Sequence, residues 1–311
     1  MNIVFFGSDK FVIPILEKLR EEYKISLVLT TEKPPLASKG RALQGCPIIQ
    51  YCTDNTIPYL AIQQFSNETI EQLKKINTEV AILAFFGLIL PQAVLNLFPK
   101  GIINVHPSLL PKFRGPTPVQ SAILAGEKET GVSIIRLDNQ VDHGPILIQE
   151  PEPILDTDTS ATLHEKLFTK GAELLVKVLP KYVAGDITPK PQEDAKATFT
   201  TRLTRESGFI DSSKLEIGNC RRSPNGEKLE IARMVRAYYP WPGVWTKIRI
   251  MNKEVRIKLL PARNATHSVA GGPNIMLQVE GKKPVSYKDF LNGYPAAKSV
   301  IVPIANTTNI K

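Results

Sequence analysis

Asn104 and His106 stand two residues apart in the run INVHPSLLPKFRGPTPVQSAI, residues 103–123. In an extended chain alternate residues share a face, so both side chains point the same way. A rise of ~3.3 Å per residue puts their α-carbons about 6–7 Å apart, close enough for the two groups to flank one carbonyl. Pro107 cannot continue a hydrogen-bonded ladder, which places the pair at the strand's carboxyl end, where open α/β sheets bind ligands. A strand-end Asn or His standing alone is more often structural, so the pair needs company before it reads as chemistry. Rival chemistries lose their motifs: the chain has no GxxxxGK[ST] phosphate loop, no GxGxxG fingerprint, no GxSxG and no HExxH. Its three cysteines, Cys46, Cys52 and Cys220, show no CxxC spacing and cannot build a disulfide framework or a four-thiolate zinc site.

The elements that must carry the pair follow from apolar patterning. NIVFF (residues 2–6) reads as a buried strand ending at Gly7, and Phe11 to Leu19 as the helix after it. Ile25 to Leu29, VAILAF, IINV, Val132 to Arg136 and ILIQ from Ile146 read as further strands, with helical stretches between. Apolar strands about 25–30 residues apart with intervening helices predict an α/β sheet, largely parallel and covered on both faces. Thr159 or Ser160 can cap a helix whose Leu163, Leu167, Leu174, Leu175 and Val178 hold a helical period, and Gly185 stands where it should stop. Val80 to Phe98 runs nineteen residues without a charge. Gly87, Pro91, Gln92 and Asn96 interrupt it, so a buried strand, a turn near Gly87 and a short helix after Pro91 fit better than a membrane span.

Residues 186–204 turn polar and proline-bearing, as a linker does. Beyond them come a helix near Glu227 to Arg236 and the short strand-like runs VWTKIRI, VRIKLL, IMLQV and VIVPI. This pattern suits a small β-barrel, of which an oligonucleotide-binding barrel is one version. Trp241 and Trp245 read as core. The chain of 311 residues thus divides into 1–185, a linker at 186–204, and 205–311. Its net charge of +9 is uneven: the first 185 residues are close to neutral, and the remainder holds the excess. That asymmetry fits either a polyanion-binding end or plain solubility. The opening MNIVFFGSDK lacks the features of a signal peptide, and a cytoplasmic protein with reduced thiols is expected.

Read together, these segments strongly resemble the folate-dependent formyltransferases. AFFGLILP, INVHPSLLPKFRGPTPVQ, ETGVSI and VDHGPIL resemble the family's catalytic domain. The Asn-x-His pair, the SLLP loop and an Asp in D-x-G form a specific signature. FFGSDKF differs mildly from the family's usual FxGTPxF opening, at Ser8 and Asp9. RMVRAYYPWPG and VEGKKPVSYKDFLNGY resemble the C-terminal domain of the members that act on tRNA, and TEKPPLASKGRALQ resembles the basic loop with which those members meet the acceptor end.

The resemblance implies a Rossmann-like formyltransferase domain followed by a small oligonucleotide-binding-like barrel. It further implies formyl transfer from 10-formyltetrahydrofolate, a co-substrate, to the α-amino group of methionyl initiator tRNA, with no metal, no membrane and no protein partner. The family's catalytic Asn, His and Asp fall on Asn104, His106 and Asp142. An amine attacking a formamide carbonyl drives negative charge onto its oxygen. Asn104 can donate to that oxygen, His106 can add a hydrogen bond or move a proton, and Asp142 can orient and charge-stabilise His106. His143 beside Asp142 is a weaker candidate for the base, and His164 reads as structural. The implied folate pocket is Phe86, Gly87, Leu88, Ile89, Leu90 and Val141, with Ser108, Leu109, Leu110 and Pro111 along the route; some of the leucines read equally well as plain core. Lys39 and Arg41 would meet tRNA phosphates. The rival readings are a formyltransferase acting on a sugar-nucleotide amine, a formyltetrahydrofolate hydrolase with the same three residues, and a tRNA-binding protein without turnover.

Overall fold

A computed structural model describes residues 1–31, 47–212, 227–250, 253–262, 275–295 and 297 of the chain. They divide into two compact units. The first comprises Met1–Pro118, Glu129–Pro153 and His164–Thr200; the second comprises Val119–Lys128, Ile154–Leu163 and the described residues from Thr201 onward.

The first unit is built on strands β1 (Asn2–Gly7), β2 (Lys24–Thr31), β3 (Tyr59–Ile62), β4 (Ala81–Ala84), β5 (Ile102–His106), β6 (Glu129–Arg136) and β7 (Ile146–Pro153). Its helices are α1 (Ile13–Glu22), α2 (Pro47–Asp54), α3 (Asn67–Lys75), the single turn α4 (Gln92–Leu95), α5 (Pro118–Ala125, which runs on into the second unit) and α6 (Ser160–Ala184, which begins in it). The sheet order is β3-β2-β1-β4-β5-β6-β7. The first five strands are parallel, in the order of a Rossmann-type sheet, and the winding reverses between β1 and β4. The last two strands are the antiparallel part of a sheet that is, as expected, largely parallel. β6 runs antiparallel to β5, pairing His106 with Ser133 and Asn104 with Ile135, and β7 returns antiparallel to β6. A short connection, residues 137–145, joins them; parallel neighbours would need a crossover of a dozen or more residues.

Local chemistry sets the element ends. Asp9 Oδ1 accepts from the Phe11 amide at 3.3 Å, and the Ser8 hydroxyl accepts from the Thr31 amide at 3.0 Å, so these two residues fasten the turn after β1. Thr159 is the cap of α6, its hydroxyl accepting from the Thr162 amide, and Gly185 ends the helix at φ +91°. The five apolar positions predicted to hold the period of α6 are all buried. Between Val80 and Phe98 lie β4, a turn and α4, and no helix of the described residues is long and apolar enough to cross a membrane. A core of Val4, Phe6, Leu29, Ile62, Leu73, Ala81, Val94, Phe98 and Ile102 joins strands β1 through β5 to α3 and α4, and Phe86, Leu88 and Leu90 after β4 pack against it.

In the second unit α7 (Glu227–Ala237) precedes β8 (Val244–Ile250), β9 (Lys253–Pro261), β10 (Ile275–Val279), β11 (Val285–Ser286) and α8 (Tyr287–Gly293). The strands form an antiparallel sheet in the order β11-β10-β9-β8. The predicted strand VIVPI lies outside the described residues. Val244, Thr246, Ile248, Ile257 and Leu259 are buried, while Lys247, Arg249 and Lys258 alternate with them on the exposed side. Trp241 corrects the reading of both tryptophans as core: it is 57% exposed, on the proline-flanked turn before β8. Trp245 donates its indole hydrogen to the Arg205 carbonyl and packs against Phe209 and Arg256.

Candidate active site

Asn104 and His106 are the third and last residues of β5, both buried and on one face. Asp142, from the β6–β7 connection, meets them. Asn104 Nδ2 donates to Asp142 Oδ1 at 3.2 Å, and His106 Nδ1 lies 3.6 Å from the same oxygen. The other carboxylate oxygen accepts from the Gly115 amide at 2.8 Å. His106 Nε2 sits 3.1 Å from the carbonyl oxygen of Phe113. A carbonyl can only accept, so Nε2 carries a hydrogen, and Nδ1 is the ring nitrogen that faces Asp142. The three residues predicted from spacing and resemblance are thus gathered around one carboxylate, Asn104 hydrogen-bonded to it and His106 within ion-pair distance. The amide of Asn104 has two hydrogens, of which this bond uses one.

The loop after β5 is anchored from below. Ser108 is fully buried, its hydroxyl donating to the Lys112 carbonyl at 2.7 Å and its carbonyl accepting from Ser133 at 2.6 Å. Ser133 also accepts from the Leu110 amide, and Gln149 donates to the Leu110 carbonyl. Ser108 and Leu110 therefore point inward as supports, while Leu109 and Pro111 are half-exposed. Past β4 the chain alternates: Phe86, Leu88 and Leu90 pack on the core, whereas Gly87 and Ile89 are exposed, Ile89 by 87%. Val141 is 60% exposed beside Asp142. Lys39 and Arg41 lie outside the described residues. No cluster of three His, Cys, Asp or Glu fit to hold a metal occurs among the described residues.

Sequence reasoning missed a set of residues behind Asp142. Arg114 is 3% exposed; its Nε and Nη2 donate to Gln192 Oε1 at 3.0 and 2.8 Å, and Nη2 also reaches Asp194 Oδ1 at 2.7 Å. Gln192 Nε2 in turn donates to the carbonyls of Asp142 and Gly144, each at 2.8 Å. Residues 198–200 pair with Arg114 on both sides and give the Phe113 amide an acceptor in the Thr198 hydroxyl. Nothing in the polar stretch 186–204 marks Gln192 or Thr198; Arg114, in the loop of the Asn-x-His run, was the visible signal. His143 turns to Asp138, at 2.6 Å from Nδ1, and to Asp194, at 3.4 Å from Nε2. The hydrogen bond to Asp138 above all, against a smaller effect of burial, holds its pKa above the ordinary imidazole value. Asp194 is held below the usual carboxylate range, first by its bond from Arg114. His164 is structural: its ring stacks between Phe11 and Phe168 and meets Phe85 edge-on.

Comparison with known proteins gives the arrangement a context. Residues 1–179 match the family model described as formyl transferase, and residues 225–276 match that described as formyl transferase, C-terminal domain. A methionyl-tRNA formyltransferase of Roseiflexus sp. is 35% identical, the match covering 94% of this chain and 92% of that protein. One of Chloroflexus aurantiacus is 42% identical over 79% and 76%. Among solved structures, a methionyl-tRNA formyltransferase from Clostridium thermocellum has a TM-score of 0.56 at 20% identity, covering 92% of this chain and 99% of that one. WlaRD, a sugar 3N-formyl transferase solved with dTDP and 5-N-formyl-THF, has 0.57 at 18%, covering 91% and 99%. The fold alone therefore does not separate acceptors. The matched domains and the whole-length relatives settle the wider question, and the chain belongs to the formyl transferase family.

Proposed function

We propose that this chain transfers the formyl group of 10-formyltetrahydrofolate to the α-amino group of methionyl initiator tRNA. The observation that carries the reading is the match across both domains to methionyl-tRNA formyltransferases at 33–42% identity. Asn104, His106 and Asp142 supply the chemistry. The second amide hydrogen of Asn104 donates to the formyl oxygen as negative charge grows there, an interaction worth about 3–4 kcal/mol in comparable sites. His106 Nδ1 takes the proton that leaves the attacking amine, and Asp142 then faces an imidazolium with a full carboxylate. The new C–N bond forms first, giving a tetrahedral oxyanion. As it collapses the C–N bond to the folate nitrogen breaks, and that nitrogen takes the proton from His106, so the ring returns to its starting state. Outward-facing Ile89 and Val141, with the open flank of Gly87, suit a flat heterocycle; Phe86, Leu88 and Leu90 form the wall behind, and Leu109 and Pro111 edge the approach. Ser108 and Leu110 hold that edge in place. Lys39 and Arg41 contact tRNA phosphates, with the exposed cations of β8 and β9 as a second contact.

Labelled 10-formyltetrahydrofolate, offered with methionyl initiator tRNA, glycinamide ribonucleotide and an amino-sugar nucleotide in parallel, tests the assignment. Label should move to the tRNA. Transfer to the sugar nucleotide instead, or release as formate with no amine labelled, would overturn it in favour of one of the rival activities.

A further inference from the structure

We propose that Gln192, held by Arg114, is a positioning residue that fixes the Asp142 carboxylate for turnover. The role rests on the reading of Asp142 given above and adds a residue that touches no reacting atom. Asp142 has φ +48°, a left-handed backbone that Asp enters more readily than most side chains but less readily than glycine, so bonds to its peptide help to keep it there. Its carboxylate bonds alone, to Asn104 and Gly115, do not fix the peptide from which the side chain springs. Gln192 does. Its Nε2 donates to the carbonyls on either side of the His143 residue, those of Asp142 and Gly144, and so clamps the turn across its width. Gly144 itself has no room to shift toward β6, because a Cβ there would overlap the Arg136 carbonyl.

The clamp has a defined polarity. Arg114 can only donate, and two of its N–H groups converge on Gln192 Oε1, which forces the amide nitrogen to face the turn. The guanidinium is buried and anchored to Asp194, so the amide cannot flip without stranding a charge. The result is a relay from a buried cation, through one amide, to the backbone that aims the carboxylate at His106. Displacement of a reacting group by about 1 Å can cost on the order of 100-fold in rate.

Three proteins, wild type, Gln192→Ala and Gln192→Glu, are compared in steady-state formylation, each also in an Asp142→Asn background. Rates are read with whichever amine the wild-type protein formylates, so failure with methionyl-tRNA overturns the acceptor reading and leaves this comparison readable. Gln192→Ala should lower kcat about 10–100-fold, with KM for folate and acceptor within about twofold. Gln192→Glu keeps a partner for Arg114 but cannot donate to the two carbonyls when ionised. It should lose the same rate while staying folded at the assay temperature, with its unfolding temperature somewhat lowered because two carbonyls lose their donor. In the Asp142→Asn background both changes should have little further effect, because a residue that acts by aiming the carboxylate has nothing left to aim. Equal fold-losses in both backgrounds, or wild-type kcat in Gln192→Glu, would overturn the proposal.

Discussion

At the scale of single residues, Asn104, His106 and Asp142 have different structural burdens, and their variants should separate accordingly. Asn104→Ala removes one donor and leaves Asp142 its bond from Gly115. Turnover should fall about 100–1,000-fold with little loss of stability. His106→Ala removes a buried ring and strands the Phe113 carbonyl. It should lose at least ~100-fold in rate and in addition about 1–3 kcal/mol of stability. Single-turnover formylation and urea midpoints read the two quantities independently; wild-type turnover in either variant would remove that residue from the chemistry. His143 gives a separate pH signature. Its pKa is raised in the folded protein by Asp138 and Asp194, the two carboxylates it faces. The stability it contributes is therefore fully present below the unfolded imidazole value of about 6.5, and is lost as pH rises through the folded value. His143→Gln should flatten the fall of the urea midpoint on the alkaline side of that window. Asp194, whose pKa is lowered, acts at the opposite end: its contribution is present above the unfolded carboxylate value and disappears as pH falls toward the folded one.

At the scale of elements, the β6–β7 connection decides whether there is a site at all. It must bring Asp142 back to β5 within nine residues, 137–145, and Gly144 lies against the Arg136 carbonyl where it does so. Gly144→Ala should destabilise the protein by about 2–3 kcal/mol, and the surviving folded fraction should turn over as poorly as an Asp142 variant. A normal denaturation midpoint would show that the turn can relax. The same region marks how far the sequence was readable. β1, β2, β4 and β5 were visible as continuous apolar runs because a parallel strand is buried on both faces. Such a run has no direction in it, so a largely parallel sheet was legible but not which strands, β6 and β7, would be its antiparallel ones. Asn104 and His106 were legible because a strand repeats every two residues, and Asp142 because of the resemblance. Gln192 was not: it is one polar residue among many in 186–204, and only the folded chain shows its amide between a buried guanidinium and two carbonyls.

At the scale of the whole molecule, a near-neutral first part and a basic second part suit the proposed polyanionic acceptor, and solubility alone is the rival account of the charge. Under the proposed function, the antiparallel sheet of the second unit offers a basic face for such a ligand. Lys247 and Arg256 pair across β8 and β9, Trp245 pairs with Lys258, and Arg249 pairs with Glu254. Lys247 also makes an ion pair with Glu254 at 2.6 Å, which takes up part of its charge. Arg249 and Lys258, both exposed, are the better candidates for phosphate contact. Binding of methionyl initiator tRNA should weaken linearly on a log–log plot against salt, with a slope of about −0.9 per neutralised phosphate of a duplex stem. Arg249→Gln with Lys258→Gln should flatten that slope by up to about 1.8 and raise KM for tRNA, leaving the folate KM and kcat at saturating tRNA near wild type. Neither side chain packs in the core, so the denaturation midpoint should hardly move. An unchanged slope in the double variant would show that the stem does not lie on this face, and the positive charge of the second half would then have to act through its other basic residues.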